Sequence, residues 1–238
     1  MADKGSRTGL GARRMDASSL AEEISRELSG LAAAPVAELR RMRRKYSRRL
    51  GDAPPLEIIE AALRLSQVPL RGHRFVAYEL VQNHPAARSL LDARRLERLG
   101  RGMASWDAVD CFCVFLSGPA WRRGTVPDSV IHGWARSPDR WWRRAALVST
   151  VPLNSRAHGG AGDARRTLRV CRILERDRDP MVTKALSWAL RELSKRDPGA
   201  VRGFIAARSG ALAALVLREV RNKLETGVKN PGRRRAAR

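Results

Sequence analysis

Asp179-Pro180-Met181-Val182-Thr183-Lys184-Ala185-Leu186-Ser187-Trp188-Ala189-Leu190-Arg191-Glu192-Leu193-Ser194-Lys195-Arg196-Asp197-Pro198 contains two helix starts within twenty residues. Each start is an aspartate followed by proline. The carboxylate caps free backbone N–H groups, and the proline ring has the fixed φ and missing N–H that suit a first helical turn. Elsewhere apolar residues recur at steps of three and four, as in Ile58-Ile59, Ala62-Leu63 and Leu65. No segment alternates over strand length.

This reading predicts an all-α chain with helices at 18–31, 36–50, 56–66, 73–83, 86–100, 105–117, 127–136, 139–151, 163–175, 180–195, 198–207 and 212–225. Asn154–Gly162, which carries Gly159, Gly160 and Gly162, is expected to be the longest internal loop. About a dozen short helices with tight links suggest stacked helical pairs. Three tryptophans are each followed by a charge three or four residues on: Trp106 by Asp110, Trp141 by Arg144, and Trp188 by Arg191. The tryptophans lie 35 and then 47 residues apart, near the ~40–47-residue period of HEAT-type repeats. The architecture expected is a HEAT-like helical-repeat α-solenoid whose concave face forms a basic groove.

Charge narrows the partner. The chain has 238 residues, with 47 Lys plus Arg against 24 Asp plus Glu and a formal net charge of +23. The isoelectric point is near 11.6 and the mean hydropathy is −0.39. A surplus made mostly of arginine suits bidentate contacts to phosphate, so a nucleic acid is the expected partner. Residues 1–15 read as a disordered basic arm, 16–227 as one repeat domain, and 228–238 as a disordered basic tail adding sequence-independent phosphate affinity. Three cysteines, Cys111, Cys113 and Cys171, make no disulfide framework and suggest a reducing compartment. No apolar run approaches the ~20 residues of a membrane span, and the N-terminus has no apolar leader core. A cytoplasmic, nucleoid-associated bacterial monomer is expected, with no metal and no cofactor. None of the four histidines pairs with a nucleophile or a ligand cluster; His84 reads as a capping or surface residue and His158 as exposed in the glycine loop.

Against that surplus, Ala104-Ser105-Trp106-Asp107-Ala108-Val109-Asp110 stands out. A carboxylate facing a polyanion weakens the attraction, so an acid beside a tryptophan calls for a reason. Trp106 and Asp110 are four apart and share one helical face, while Asp107 points about 100° away and reads as structural. Taken singly, Trp106 and Trp188 are more often core fillers, Asp110 a salt-bridge partner and Arg144 a solvated charge. Their occurrence together, in order, favours a site.

At these residues the chain resembles the AlkD-type DNA alkylation repair glycosylases, a family of HEAT-like helical repeats. The resemblance is carried by Ser105-Trp106-Asp107-Ala108-Val109-Asp110, by Trp141-Trp142-Arg143-Arg144-Ala145-Ala146, and by Lys184-Ala185-Leu186-Ser187-Trp188-Ala189-Leu190-Arg191-Glu192. Arg74-Phe75-Val76-Ala77, Asp197-Pro198 and the last helix also look like the family, and coverage runs roughly over 35–224. The resemblance implies removal of cationic N3- or N7-alkylated purines from double-stranded DNA. It puts the catalytic aspartate on Asp110 and the site tryptophans on Trp106 and Trp188. The site arginine falls on Arg144 rather than Arg143, since it stands three after Trp141. The resemblance also implies that the lesion can stay largely stacked, with tolerance of bulky adducts. The chain departs from the family in its first repeat, where only Pro35-Val36-Ala37-Glu38-Leu39-Arg40 matches the usual pattern.

The residues suit that chemistry. A purine alkylated at N3 or N7 is already cationic and leaves without protonation, so the transition state resembles an oxocarbenium ion at the sugar. One carboxylate, Asp110, stabilises that charge and orients water. Trp106 and Trp188 offer electron-rich faces to it. Arg144 is expected to grip a phosphate, and Arg143, Lys184 and Arg191 to contact DNA. No lysine stands beside the carboxylate as an amine nucleophile, which argues for hydrolysis without lyase chemistry. The alternative is a non-catalytic HEAT-like DNA-binding scaffold using the same groove.

Overall fold

The computed structural model describes residues 16–31, 34–70 and 72–231, and contains no strand among them. The helices are α1 (Ala17–Ser29), α2 (Val36–Arg49), α3 (Pro55–Gln67), α4 (His73–Gln82), α5 (Pro85–Ser89), α6 (Ala93–Gly100), α7 (Trp106–Phe112), α8 (Gly118–Arg123), α9 (Asp128–Trp134), α10 (Arg140–Val148), α11 (Val151–Asn154), α12 (Ala164–Ile173), α13 (Pro180–Leu193), α14 (Pro198–Ala207) and α15 (Ala214–Thr226). The starts follow the capping logic of the sequence. Asp179 accepts from Met181 N at 2.8 Å and Asp197 from Ala200 N at 2.8 Å. Asp16, Asp92, Asp139 and Asp163 cap α1, α6, α10 and α12 in the same way. Each such cap stabilises its helix by about 1 kcal/mol.

The helices stack in two rows. In one, α2, α4, α7, α10, α13 and α15 each touch the next. The other row backs it, with α3 against α4, α9 against α10 and α12 against α13. A single apolar core lies between the rows, from Leu20 and Ile24 to Val216 and Val220. This is the helical-repeat solenoid expected. Its period, however, is shorter than the tryptophans suggested. Successive helices of the first row start at His73, Trp106, Arg140, Pro180 and Ala214, at intervals of 33, 34, 40 and 34 residues. Trp106 and Trp141 both stand in the first turn of their helices, whereas Trp188 lies two turns into α13. The 47-residue interval therefore compares different registers.

Several expected boundaries shift for physical reasons. The helix expected over 86–100 breaks into α5 and α6, and Asp92 starts the second. The helix expected to end at Ser117 runs on. Cys113–Ser117 form a π-helical segment joining α7 to α8. Pro119 lies just inside α8; its ring would clash with the carbonyl four residues back, and a widened turn relieves this. Gly118 is also constrained from outside. A Cβ there would lie 2.7 Å from Pro152 Cγ and 2.8 Å from Ser149 O. Gly118→Ala is accordingly expected to destabilise the protein by about 1–3 kcal/mol. Thermal unfolding measured by circular dichroism would show a Tm lower by roughly 2–12 °C, and an unchanged Tm would contradict the packing.

The loop at Asn154–Gly162 holds a short 3₁₀ turn, Arg156–His158, and is clamped. Arg196 donates to Asn154 O at 2.8 Å and Gly160 O at 2.6 Å, and buried Asn154 accepts from Asp163 N at 2.9 Å. His84 caps α5 through Nδ1 at 3.1 Å but is buried rather than on the surface. Cys113 and Cys171 are buried in the core and burial pushes both thiols up, Cys113 to about 12. The arm at 1–15 lies outside the described residues, as does the tail from 232 onward. Lys229, which is described, reaches back to Glu219 at 3.1 Å. No helix among the described residues is long and apolar enough to cross a membrane.

Candidate functional site

Asp110 lies one turn into α7, on the side left by the buried Val109 and Phe112. Facing it is Arg144 of α10, whose helix start Asp139 fixes. The guanidinium meets the carboxylate as a parallel fork, with Nε donating to Oδ1 at 2.9 Å and Nη2 to Oδ2 at 2.8 Å. Its Nη1 donates to the carbonyl of Met181, in the first turn of α13, at 2.6 Å. Three successive helices of one row are therefore tied at a single guanidinium. The side chain of Arg144 is 6% exposed and that of Asp110 is 18% exposed. Arginine lies beneath and a carboxylate edge reaches the surface.

Burial pushes the Asp110 carboxyl above its ordinary value, the Arg144 fork pulls it back part of the way, and Asp107 adds a further upward push. The site balances a costly buried anion against a charge-assisted bidentate pair. Arg144 thus occupies a different position from the one expected: its fork is spent on Asp110 and it is buried, so it does not present itself to a phosphate. The i+3 spacing from Trp141 located the residue. Its orientation depends on α7, 34 positions away in the chain.

Trp106 opens α7 and is 59% exposed, so it is no core filler. Trp188 is half-buried against the core. On α13, Met181, Lys184, Trp188 and Arg191 escape full burial at steps of three and four, while Val182, Ala185, Leu186, Ala189 and Leu190 are buried. That stripe is one helical face. Lys184 is exposed on it and makes no ion pair among the described residues. Arg191 is more engaged. Its Nε donates to Ser187 Oγ at 3.1 Å and lies 3.8 Å from Glu219, which is itself buried and accepts from Ser187 at 2.6 Å. Arg143 is tied down as well, through Nε to Asp177 at 2.7 Å and Nη1 to the carbonyls of Ser137 and Pro138. Asp177, Glu219 and the Met181 carbonyl escaped the sequence reading because their partners lie a repeat away, and nothing local marks them. Among the described residues no cluster of His, Cys, Asp or Glu could hold a metal ion. A cleft of about 550 Å³ lined by Glu97, Arg101, Trp134 and Trp142 opens between α6 and α9–α10 and does not include Asp110.

A two-row helical-repeat fold with a strong cationic surplus, and with Asp110 forked to a buried Arg144, fits the class of helical-repeat proteins with a polyanionic partner. The chain belongs to the DNA alkylation repair enzyme family, whose model matches residues 25–224. That membership gives it a role in DNA repair, with DNA as substrate or partner. A solved structure, a predicted DNA alkylation repair enzyme from Enterococcus faecalis, superposes with a TM-score of 0.68 at 19% identity. The match covers 86% of this chain and 96% of that one, and at this identity it speaks for the fold. No curated protein shows significant similarity to the chain.

Proposed function

We propose that the protein is a monofunctional DNA glycosylase that hydrolyses the N-glycosidic bond of cationic N3- or N7-alkylated purines and leaves an abasic site. The observation that carries this reading is Asp110, a part-exposed carboxylate pinned by Arg144 in a chain of net charge +23. A protein that only held DNA would gain affinity by losing that acid.

In this reading the C1′–N bond breaks with its electron pair moving to the purine, which departs neutral. Asp110 faces the cationic sugar and stabilises it electrostatically. A water held against the carboxylate then adds to C1′ and releases its proton to Asp110 or to solvent. Trp106 and Trp188 line the approach with π-faces, each contributing about 0.5–2 kcal/mol toward the developing cation. Arg144 acts through Asp110: it fixes the carboxylate's rotamer and favours its ionised form. Exposed Lys184 is the phosphate contact on this face, whereas Arg143 and Arg191 act there by holding α10 and α13 in register. An approach along an open helical face, with no tight filter on the size of the base, would suit both methyl and bulky adducts.

The decisive experiment incubates the protein with duplex DNA carrying a single N7-alkylguanine and quantifies free base, with N3-alkyladenine and a bulky adduct as parallel substrates. Release above the spontaneous rate is expected from at least one. Tight binding without release from all three would assign the scaffold role instead. On the binding side, Lys184→Gln is expected to weaken affinity equally for lesioned and plain duplex. It should reduce the slope of log K against log salt by about 1. A titration between 50 and 200 mM salt checks this, and an unchanged slope would remove Lys184 from the interface.

A further inference from the structure

α12 divides its arginines between two tasks. Thr167, Val170 and Cys171 form its buried face, packed toward α10 and α13. Arg166 serves the fold: it bonds to Asp128 at 2.8 Å and lies over Trp121 at 5.4 Å. Arg165, Arg169 and Arg172 fall at steps of four and three on the side diametrically opposite the buried face, and all are exposed. With His132 of α9 and Leu168 they line a cleft of about 260 Å³. Exposed Arg136, which donates to the His132 carbonyl at 2.8 Å, adds a further cation beside the cleft. The one acid paired here among the described residues is Asp128, 3.4 Å from an Arg165 side chain that is 77% exposed, and so open a pair holds it weakly. Arg169 and Arg172 make no ion pair among the described residues. The stripe points away from the row that carries Asp110, so a duplex lying along that row does not reach it.

We infer that this outer stripe is a second duplex-DNA surface, and that the protein can hold two DNA segments at once. The inference rests on reading the α7–α10–α13 side as the first surface. Three arginines on one helix face, at axial steps of about 6 and 4.5 Å, match a row of phosphates better than a compact ligand. Arginine forks suit phosphate oxygens. Leu168 is the sole apolar residue lining the cleft and is half-buried, which leaves nothing to insert into a bilayer. A second segment held this way lets the protein pass between DNA strands without dissociating fully, a useful property for an enzyme searching for rare lesions.

The test counts short duplexes bound per protein at 50 mM salt by native mass spectrometry or sedimentation, for the full chain and for the triple variant Arg165→Glu, Arg169→Glu, Arg172→Glu. The substituted side chains are exposed, and thermal unfolding checks that the variant folds. Two duplexes on the parent and one on the variant are expected, with base release from a short lesioned duplex unchanged within about twofold. Gln at the same three positions removes three phosphate partners without adding negative charge, so the second site of that variant should show a salt slope smaller by roughly 3. One duplex on both proteins, with release retained, overturns the inference and leaves the glycosylase reading intact. One on the parent and none on the variant makes the stripe the sole DNA surface; that overturns both readings. Binding of the parent to phosphatidylglycerol vesicles, abolished in the variant and without a second duplex, overturns the inference in favour of a membrane.

Discussion

Asp110→Asn is expected to cut release of the alkylated base by at least about 10²-fold, toward the spontaneous rate, while the protein still binds lesioned DNA. The amide keeps the size of the carboxylate and one acceptor for Arg144, so the tie between α7 and α10 persists in weakened form. It lacks the negative charge, the one feature of the site that discriminates an oxocarbenium-like sugar from a neutral one. Removing an anion from a face turned toward phosphates should leave DNA affinity unchanged or raise it. This opposition of effects separates catalysis from binding. Single-turnover release and equilibrium binding, measured on the same N7-alkylguanine duplex, test both halves. A variant retaining more than a tenth of the parent rate would remove Asp110 from the chemistry. One that loses binding in parallel with rate would point to a damaged fold instead.

Arg144→Ala should have the largest effect on stability at the site. Removing one partner of a buried pair leaves the other charge uncompensated, at a cost of about 3–5 kcal/mol. Here the same change also vacates the Met181 carbonyl, the link to α13. Asp110 has an escape, since it can take up a proton, and this gives the prediction a pH signature. In the parent, burial already holds the Asp110 carboxyl above its ordinary value against the opposing pull of Arg144. An acid raised on folding favours the folded state in its protonated form. That contribution is full below the unfolded pKa and is lost as pH rises through the folded one. Without Arg144 the folded value rises further. The stability deficit of the variant should therefore shrink as pH falls, and its Tm should approach that of the parent in mild acid. Any remaining base release should show its acidic limb at higher pH than in the parent. Arg144→Lys, which keeps a charge but not the fork, should recover part of the stability. Tm against pH, with rate against pH, checks these expectations. A deficit independent of pH would mean that Arg144 acts by packing alone.

Much of this is legible along the chain. The aspartate–proline starts mark α13 and α14, and the tryptophan-plus-charge spacing singles out Asp110, Arg144 and Trp188 without knowledge of any contact. These signals are local: a cap acts within three residues, and a helical face repeats within four. Where sequence and structure differ, the cause is not local. The helix expected to end at Ser117 instead continues through Gly118-Pro119 by way of a π turn, and Gly118 is the residue that fits there because Pro152 and Ser149 of a neighbouring helix leave no room for a Cβ. The tryptophan intervals overstate the repeat period because a tryptophan marks a residue type and not a register. Arg143 and Arg191 read as free cations from the chain alone, and Asp177 and Glu219, each about one repeat further on, engage them.

The sequence by itself determined an all-helical repeat with a strong cationic surplus, and it marked the residues proposed for the site. Each rests on short-range periodicity, on capping or on summed charge, none of which needs a neighbouring helix. Only the tertiary structure decided what each charge does. The stacking of α7, α10 and α13 turned Arg144 inward to hold Asp110 and left Trp106 in solvent. The packing of α12 on α13 sent Arg165, Arg169 and Arg172 outward. A guanidinium's role depends on whether a carboxylate lies within hydrogen-bonding reach, and for Arg144 that carboxylate, at 2.8 Å, comes from a helix 34 residues away in the chain.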